Sequence, residues 1–405
     1  MTITMKTGIK AALLAVAASA ALVACGGGGD GSVAPAPAAG SGTLRVALTD
    51  APACGFDEVN VTVERVRAHQ SASAGENDAG WTDIVVNPPR KIDLLSLQNG
   101  VLVDLGQTTV PAGNYTQMRL VLVSNKSVPM SNTVKPTGGS EIELDTPSAA
   151  QSGLKLINGF TIEPNKTTYI VLDFDACKSI VKRGNGSHGL KPVIQMMAVT
   201  ASRIVGYVQS SPTGMTVSAQ KNGVVLKATE PDSTGKFTLA PLDPTKSPYD
   251  VVISGPALTT SVIAAVPVAA DQTTTLNTDV DRMTIPASAS GTVTGNLGPA
   301  PARDTAAVRA LQAVGTVPKV EVGHANVPSD TGNYSLQLPG AEPRLVTYST
   351  PWNMPINFLT PGGTATKYKL EASATGYATQ LGLEITVPSG GTLGAQNFTL
   401  VPVGP

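Results

Sequence analysis

The sequence predicts an all-β protein built from tandem antiparallel β-sandwiches. Three observations carry that prediction. The chain holds 41 glycines and 31 prolines in 405 residues while charged residues make up only 14%, a composition that favours short strands joined by turns over helical bundles. Apolar residues recur at every second position over short stretches, as they must on a strand with one face buried. The length exceeds one ordinary domain and suits two or three. The formal net charge is −1 with no basic stripe, which argues against a nucleic-acid partner.

The first element is a targeting segment. Residues 1–10 carry Lys6 and Lys10 and no acid, and residues 11–24 form an apolar run of 14. That run is short for a membrane span and right for the core of a signal peptide. It ends in Leu22-Val23-Ala24-Cys25, followed by four glycines. This stretch resembles the lipobox of bacterial lipoproteins. The resemblance implies cleavage after residue 24, lipid on the Cys25 thiol, and attachment to the membrane through that lipid. Two or three acyl chains hold a protein firmly, at about 0.8 kcal/mol per buried methylene. Residues 26–42 then read as a flexible Gly/Ala/Pro tether spanning roughly 20–25 Å as a coil. Gly26 in place of an aspartate implies, by the same resemblance, sorting to the bacterial outer membrane, on its periplasmic face or at the cell surface.

The first folded region, residues 43–202, alternates throughout. TLRVAL (43–48) sets Leu44, Val46 and Leu48 on one face, and VNVTVERV (59–66) does the same with Val59, Val61 and Val63. Pro88-Pro89 makes a corner and Asn99-Gly100 a turn. In YTQMRLVL (115–122), Met118, Leu120 and Leu122 face opposite to Gln117, Arg119 and Val121. One mainly apolar and one mixed face are expected of a sheet buried on one side. In that order, LRVALTDAPACGFDEVNVTVERV, KIDLLSLQNG, VPAGNYTQMRLVL and VLDFDACKSIV…LKPVI resemble a domain-of-unknown-function family common in bacterial lipoproteins. The resemblance implies an extracellular β-sandwich, immunoglobulin-like in layout, and brings no catalytic residues with it.

The remainder reads as two copies of a smaller unit, residues 203–284 and 285–405, the second with longer loops at 303–316 and 341–363. IVGYV (204–208) compares with ASGTV (289–293), DSTGKFTL (232–239) with SDTGNYSL (329–336), and YDVVI (249–253) with YKLE (368–371). The pattern is similar to carboxypeptidase-regulatory-like, transthyretin-like sandwiches. Residues 306–314 suit a strand better than a helix.

Little in the sequence points to chemistry. Cys54 and Cys177 form an even pair in an exported chain and are expected to be joined by a disulfide. Closing the 122 intervening residues would contribute about 4–5 kcal/mol in the chain-entropy treatment. Two buried thiols or an intermolecular bridge are the alternatives. His69, His188 and His324 fall in unrelated settings that read as exposed, no Gly-x-Ser-x-Gly elbow is present, and Ser187-His188 lies in GNGSHG, a hairpin connection. STGK (233–236) lacks the flanking residues of a phosphate loop and is a turn. Asp50, Asp57, Asp173 and Asp175 surround the two cysteines; the carboxylates could converge on a calcium ion, or serve as polar strand and cap positions, the reading adopted. Trp81 and Trp352 are the only tryptophans and read as core or edge residues rather than a sugar platform. The expectation is a non-catalytic envelope lipoprotein without metal or cofactor, binding a surface polysaccharide or protein through sandwich loops. The alternatives are a structural spacer, or an enzyme whose site is invisible in the sequence.

Overall fold

The computed structural model describes residues 40–50, 55–146, 152–198, 202–209, 214–352 and 354–403. Cys25, its leader and residues 26–39 of its tether, and Cys54, lie outside them; Ser41 and Gly42, expected at the end of the tether, instead begin the first strand. The regular structure of the described chain is nearly all strand, arranged as three sandwiches, each with its own apolar core.

In the first sandwich, one sheet centres on Ser41–Asp50, which lies parallel to Thr167–Phe174 and antiparallel to Val103–Pro111. The facing sheet centres on the long strand Phe56–His69, flanked by Thr82–Asp93, Gln117–Leu122 and Thr133–Pro136. Leu44, Val46, Leu48, Val59, Val61 and Val63 all reach the core between the sheets, as their alternation requires. Most pairings are antiparallel; the parallel pair at Ser41–Asp50 departs from the expectation.

One expectation fails in an informative way. Every residue of Gln117–Leu122 is buried, the mixed face included. Residues 71–81 fold over that face. Gln117 Nε2 donates to the Ser71 and Ala74 carbonyls, and Arg119 Nη2 donates to Ala74 O at 2.8 Å. Trp81 completes the cover, with the Arg67 and Arg119 guanidiniums each 4.8 Å from its ring centroid.

The second and third sandwiches share one strand order. Arg203–Tyr207 pairs with Lys236–Leu239, as Ser290–Gly298 pairs with Asn333–Pro339. The facing sheets run Val224–Thr229, Thr216–Lys221, Tyr249–Ser254, Ser261–Val266 in one and Val317–Asn326, Ala307–Val314, Lys367–Ser373, Gln380–Thr386 in the other. The repeat read from sequence is therefore a repeat of topology, and 306–314 is strand. Its register differs by four residues from the sequence comparison. Gly206 pairs with the aromatic Phe237, and the position that pairs with Tyr334 is Gly295, not Gly291. Both glycines are required by close approach: a Cβ on Gly206 would lie 2.5 Å from the Phe237 ring, and one on Gly295 would lie 1.9 Å from the Gln396 carbonyl oxygen. Tyr249 and Tyr368 occupy matching buried positions, each donating its hydroxyl to a backbone carbonyl, of Asp243 and Pro339 respectively.

The long loop of the second copy does not stay with its own sandwich. Arg344–Thr347 pairs in parallel with Ser261–Val266 and becomes the fifth strand of the preceding sandwich's sheet. Phe358 enters that sandwich's core, and Tyr348, Trp352 and Ile356 pack against it.

Candidate functional site

The three sandwiches meet at one junction, and most of the buried charge of the molecule is there. Strand alternation turns Lys227, in Val224–Thr229 of the second sandwich, toward the first. Its Nζ donates to Asp173 Oδ1 at 2.6 Å and to the Asp50 carbonyl at 3.2 Å, with the lysine side chain 0% and the aspartate side chain 5% exposed. Asp50 and Asp173 stand on neighbouring parallel strands one register step apart, so a single ammonium reaches both residues. Asp50 itself turns its carboxylate the other way. Oδ1 accepts the Ala176 amide at 3.0 Å and Oδ2 is buried without a partner. Burial pushes its carboxyl well above the ordinary range, against the pull of the Ala176 hydrogen bond.

The acids foreseen as a possible calcium cluster thus divide. Asp57 is exposed on the far side, near the Gly138 amide. Asp175 caps the single helical turn Ala176–Ser179 by accepting the Lys178 amide at 2.9 Å. Asp173 receives a cation, and that cation is Lys227. Among the described residues no three His, Cys, Asp or Glu side chains are grouped to hold a metal ion.

Lys178 leaves that turn toward the third sandwich and meets Glu321 at 2.6 Å. Glu321 also faces Arg309 at 3.2 Å, and Arg309 Nε donates to Glu371 at 2.7 Å. Gln220 of the second sandwich grips the Glu321 backbone with both ends of its amide, at 2.8 Å each. Burial works against the Lys178 charge, but Glu321 and Asp175 outweigh it and raise its pKa. Burial likewise opposes the Glu321 charge, which Lys178, His324 and Arg309 restore, leaving its pKa lowered. Asn99 adds four bonds from the first sandwich to the second: its amide donates to Thr229 Oγ1 at 3.0 Å, its Nδ2 to Glu230 O at 3.1 Å, and its Oδ1 accepts from Thr238 N at 3.0 Å and from Thr229 Oγ1 at 3.3 Å.

A cavity of about 270 Å³ opens beside these pairs, with Asp175 and Lys178 on one wall, Val225 and Pro256 on another, and His324 and Ser335 on the third. Each sandwich supplies one wall. Burial raises the Asp175 carboxyl to about 6, against the attraction of Lys178. Burial, with Lys178 alongside, lowers His324 to about 4, so the ring is neutral at physiological pH.

The histidines differ from the exposed residues foreseen. His324 is half-buried at the junction, and His188 is buried, its ring edge-on to Phe56 at 5.7 Å. His69 lies 5.0 Å from Trp81 between centroids. GNGSHG is the expected hairpin, with His188 paired to Lys182, and STGK is a turn closed on Asp232 Oδ1. Trp81 is covered by its two arginines, and Trp352 stacks on Tyr348 at 4.7 Å while its Nε1 donates to Leu276 O at 2.5 Å. Sequence reasoning missed Lys227, Glu321 and Arg309. The one signal available was a lysine and a glutamate within otherwise apolar strand stretches, VVLKAT and VEV.

Residues 41–192 match the family model of a domain of unknown function, DUF4382. That span is the first sandwich, and the resemblance read from its four motifs is to this kind of family. No curated protein matches the sequence. Three solved structures align over much of the chain. An adhesin candidate from Bacteroides ovatus is 8% identical, covering 90% of this chain and 93% of that one at a TM-score of 0.19. A streptococcal ancillary pilin is 10% identical, covering 88% and 98% at 0.14. The major pilin subunit of Bacillus cereus is 8% identical, covering 90% and 100% at 0.16. Likenesses at these TM-scores carry no argument about fold or function.

Proposed function

We propose that this chain is an exported, non-catalytic envelope lipoprotein that binds a surface polysaccharide or an envelope protein. Residues 1–24 are its signal peptide, Cys25 its lipid anchor, 26–40 its tether, and 41–202, 203–284 and 285–405 its three β-sandwiches, the last two carboxypeptidase-regulatory-like. The observation that supports a binding role most is the state of the junction. There Lys178 and Lys227 each meet an acid of another sandwich, Glu321 and Asp173 respectively. A general base or nucleophile needs a free valence aimed at a substrate; these four groups are instead committed to holding sandwiches together. The same junction weighs against a spacer, because spacer modules need only touch their neighbours in sequence, whereas here the first sandwich contacts the third directly.

A Cys54–Cys177 disulfide belongs to this reading. Asp50, four residues before Cys54, bonds Ala176, next to Cys177, which brings the two segments together. No helix among the described residues is long and apolar enough to cross a membrane, and a lipid on Cys25 supplies the attachment. Metabolic labelling with a clickable fatty acid tests the anchor. The wild-type protein is expected to carry the label and fractionate with the outer membrane, and Cys25→Ala to lose both. An unlabelled wild-type protein with its N-terminus intact would sink the anchor. Capture from cell-envelope extracts on the immobilised protein tests binding, and reproducible recovery of no polysaccharide or protein would sink that.

A further inference from the structure

We propose that the cavity between the three sandwiches binds one ring of a neutral, hydroxyl-rich sugar, so that ligand and junction are a single device. The proposal rests on the binding role inferred above and names its site and ligand class. Pockets form preferentially where domains meet, and drug-sized ligands take about 300–1,000 Å³. A volume of about 270 Å³ suits a single ring.

The lining decides the chemistry. An anion would meet Asp175 and Glu321. A cation would find Glu321 already paired to Lys178 and Arg309, leaving Asp175 alone, a carboxyl that burial holds partly protonated near pH 6. A wholly apolar ligand would strand these polar groups without partners, at roughly 1–3 kcal/mol each. A neutral polyol satisfies them. His324 offers a defined acceptor to it. Asn326 Nδ2 donates to Ile180 O at 3.1 Å, which turns Asn326 Oδ1 toward His324 Nε2 at 3.2 Å. Nε2 therefore carries the proton, and Nδ1 is left with its lone pair. Ser335 and Asp175 can exchange hydrogen bonds with hydroxyls, while Val225 and Pro256 give the C–H face of a sugar ring an apolar wall. Because the walls belong to different sandwiches, an occupant adds contacts across the junction and stabilises the assembled form by mass action.

The test uses the purified full-length protein in detergent with glucose and N-acetylglucosamine, each as the free sugar and as its β-linked trisaccharide. Saturation-transfer NMR and thermal midpoint are read together. At least one sugar is expected to show saturation transfer at millimolar concentration and to raise the midpoint. Ser335→Trp, at an exposed lining position outside the ion pairs, is expected to weaken that sugar at least tenfold with the ligand-free midpoint unchanged. Transfer to the trisaccharide as well as the monosaccharide identifies a chain end as the natural ligand; transfer to the monosaccharide alone identifies a free sugar. No transfer to any of the four, or transfer that survives Ser335→Trp in full, overturns the proposal. The binding role is read separately: if wild-type protein and Ser335→Trp capture the same envelope component, that role stands and the cavity assignment falls, whereas capture of no component by either sinks the role itself.

Discussion

Replacing Lys227 by methionine is expected to cost the protein about 3–5 kcal/mol, the range measured when one partner of a buried ion pair is removed. Methionine nearly matches the lysine stem in volume, so little of the cost is lost packing. It comes from the Asp173 carboxylate, 5% exposed, and the Asp50 carbonyl, which lose the ammonium that lies 2.6 and 3.2 Å away. The double variant Lys227→Met/Asp173→Asn removes the stranded charge and is expected to recover at least about 2 kcal/mol, a coupling within the range contacting residues show. Urea unfolding of the full chain measures both. With a slope of about 3 kcal/mol/M, the single variant should unfold about 1–1.7 M earlier. The two tryptophans make the assay more searching, since Trp81 reports on the first sandwich and Trp352 packs against the core of the second. In single-tryptophan backgrounds made with Trp81→Phe or Trp352→Phe, the two transitions should coincide while Lys227 is present and separate once it is methionine. Added salt should change little, because the pair is out of reach of counterions. A single variant that loses under about 1 kcal/mol, or a double variant no better than the single, would refute the view that this lysine locks two sandwiches together.

Acid should act on the junction through groups in opposition, His324 and Asp175 among them. His324, lowered to about 4 from an ordinary 6.5, takes its proton in the unfolded chain first, so stability falls as pH drops from 6.5 to 4. Asp175, raised to about 6 from 3.8, takes its proton in the folded chain first, so stability rises as pH drops from 6 to 3.8. Asp175→Asn keeps a helix-capping oxygen but removes the second effect; between pH 7 and 4.5 it should lose about 2 kcal/mol more than wild type in urea midpoints, and equal losses would contradict the assignment. Gly206→Ala presses on a phenylalanine ring and should cost about 1–3 kcal/mol, whereas Gly295→Ala presses on a backbone carbonyl that cannot rotate away, so its thermal midpoint should fall further; the reverse order would count against the four-residue shift in register. Trp81→Ala uncovers Arg119 and Gln117 and should cost about 2–3 kcal/mol, with faster amide exchange in residues 71–81; unchanged exchange there would show that the ring does not pin the segment.

Alternation made the sandwiches legible, because a strand with one face in a core must repeat every second residue. It could not tell what lies on the other face. Gln117 and Arg119 read as polar positions facing water, yet they are buried under residues 71–81, satisfied by that segment's carbonyls rather than by solvent. Lys227 goes unnoticed for the same reason. Its partners, Asp50 and Asp173, are more than fifty residues away, and no local pattern encodes a meeting across domains. Gly-x-aromatic turns marked the strands Lys236–Leu239 and Asn333–Pro339, but the glycine that an aromatic ring packs against is set by pairing register, which turn chemistry at one end of a strand does not determine.

The loop at 341–363 bears on whether these sandwiches could ever have acted as beads on a string. Without Arg344–Thr347, the strand Ser261–Val266 would be an exposed edge, with its row of backbone donors and acceptors open to pairing with other chains. Without Phe358, Trp352 and Tyr348, one end of the second core would face water. The second sandwich is thus completed by residues that come after the third has begun, and neither can be detached without leaving an edge and a core incomplete. Ion pairs at the junction then fix the first sandwich to this fused pair. A chain that commits buried charges and an exchanged strand to one arrangement loses the reach and flexibility a spacer needs. It gains walls held in constant relation to one another, and that is the condition for a cavity between sandwiches to keep its shape and select a ligand.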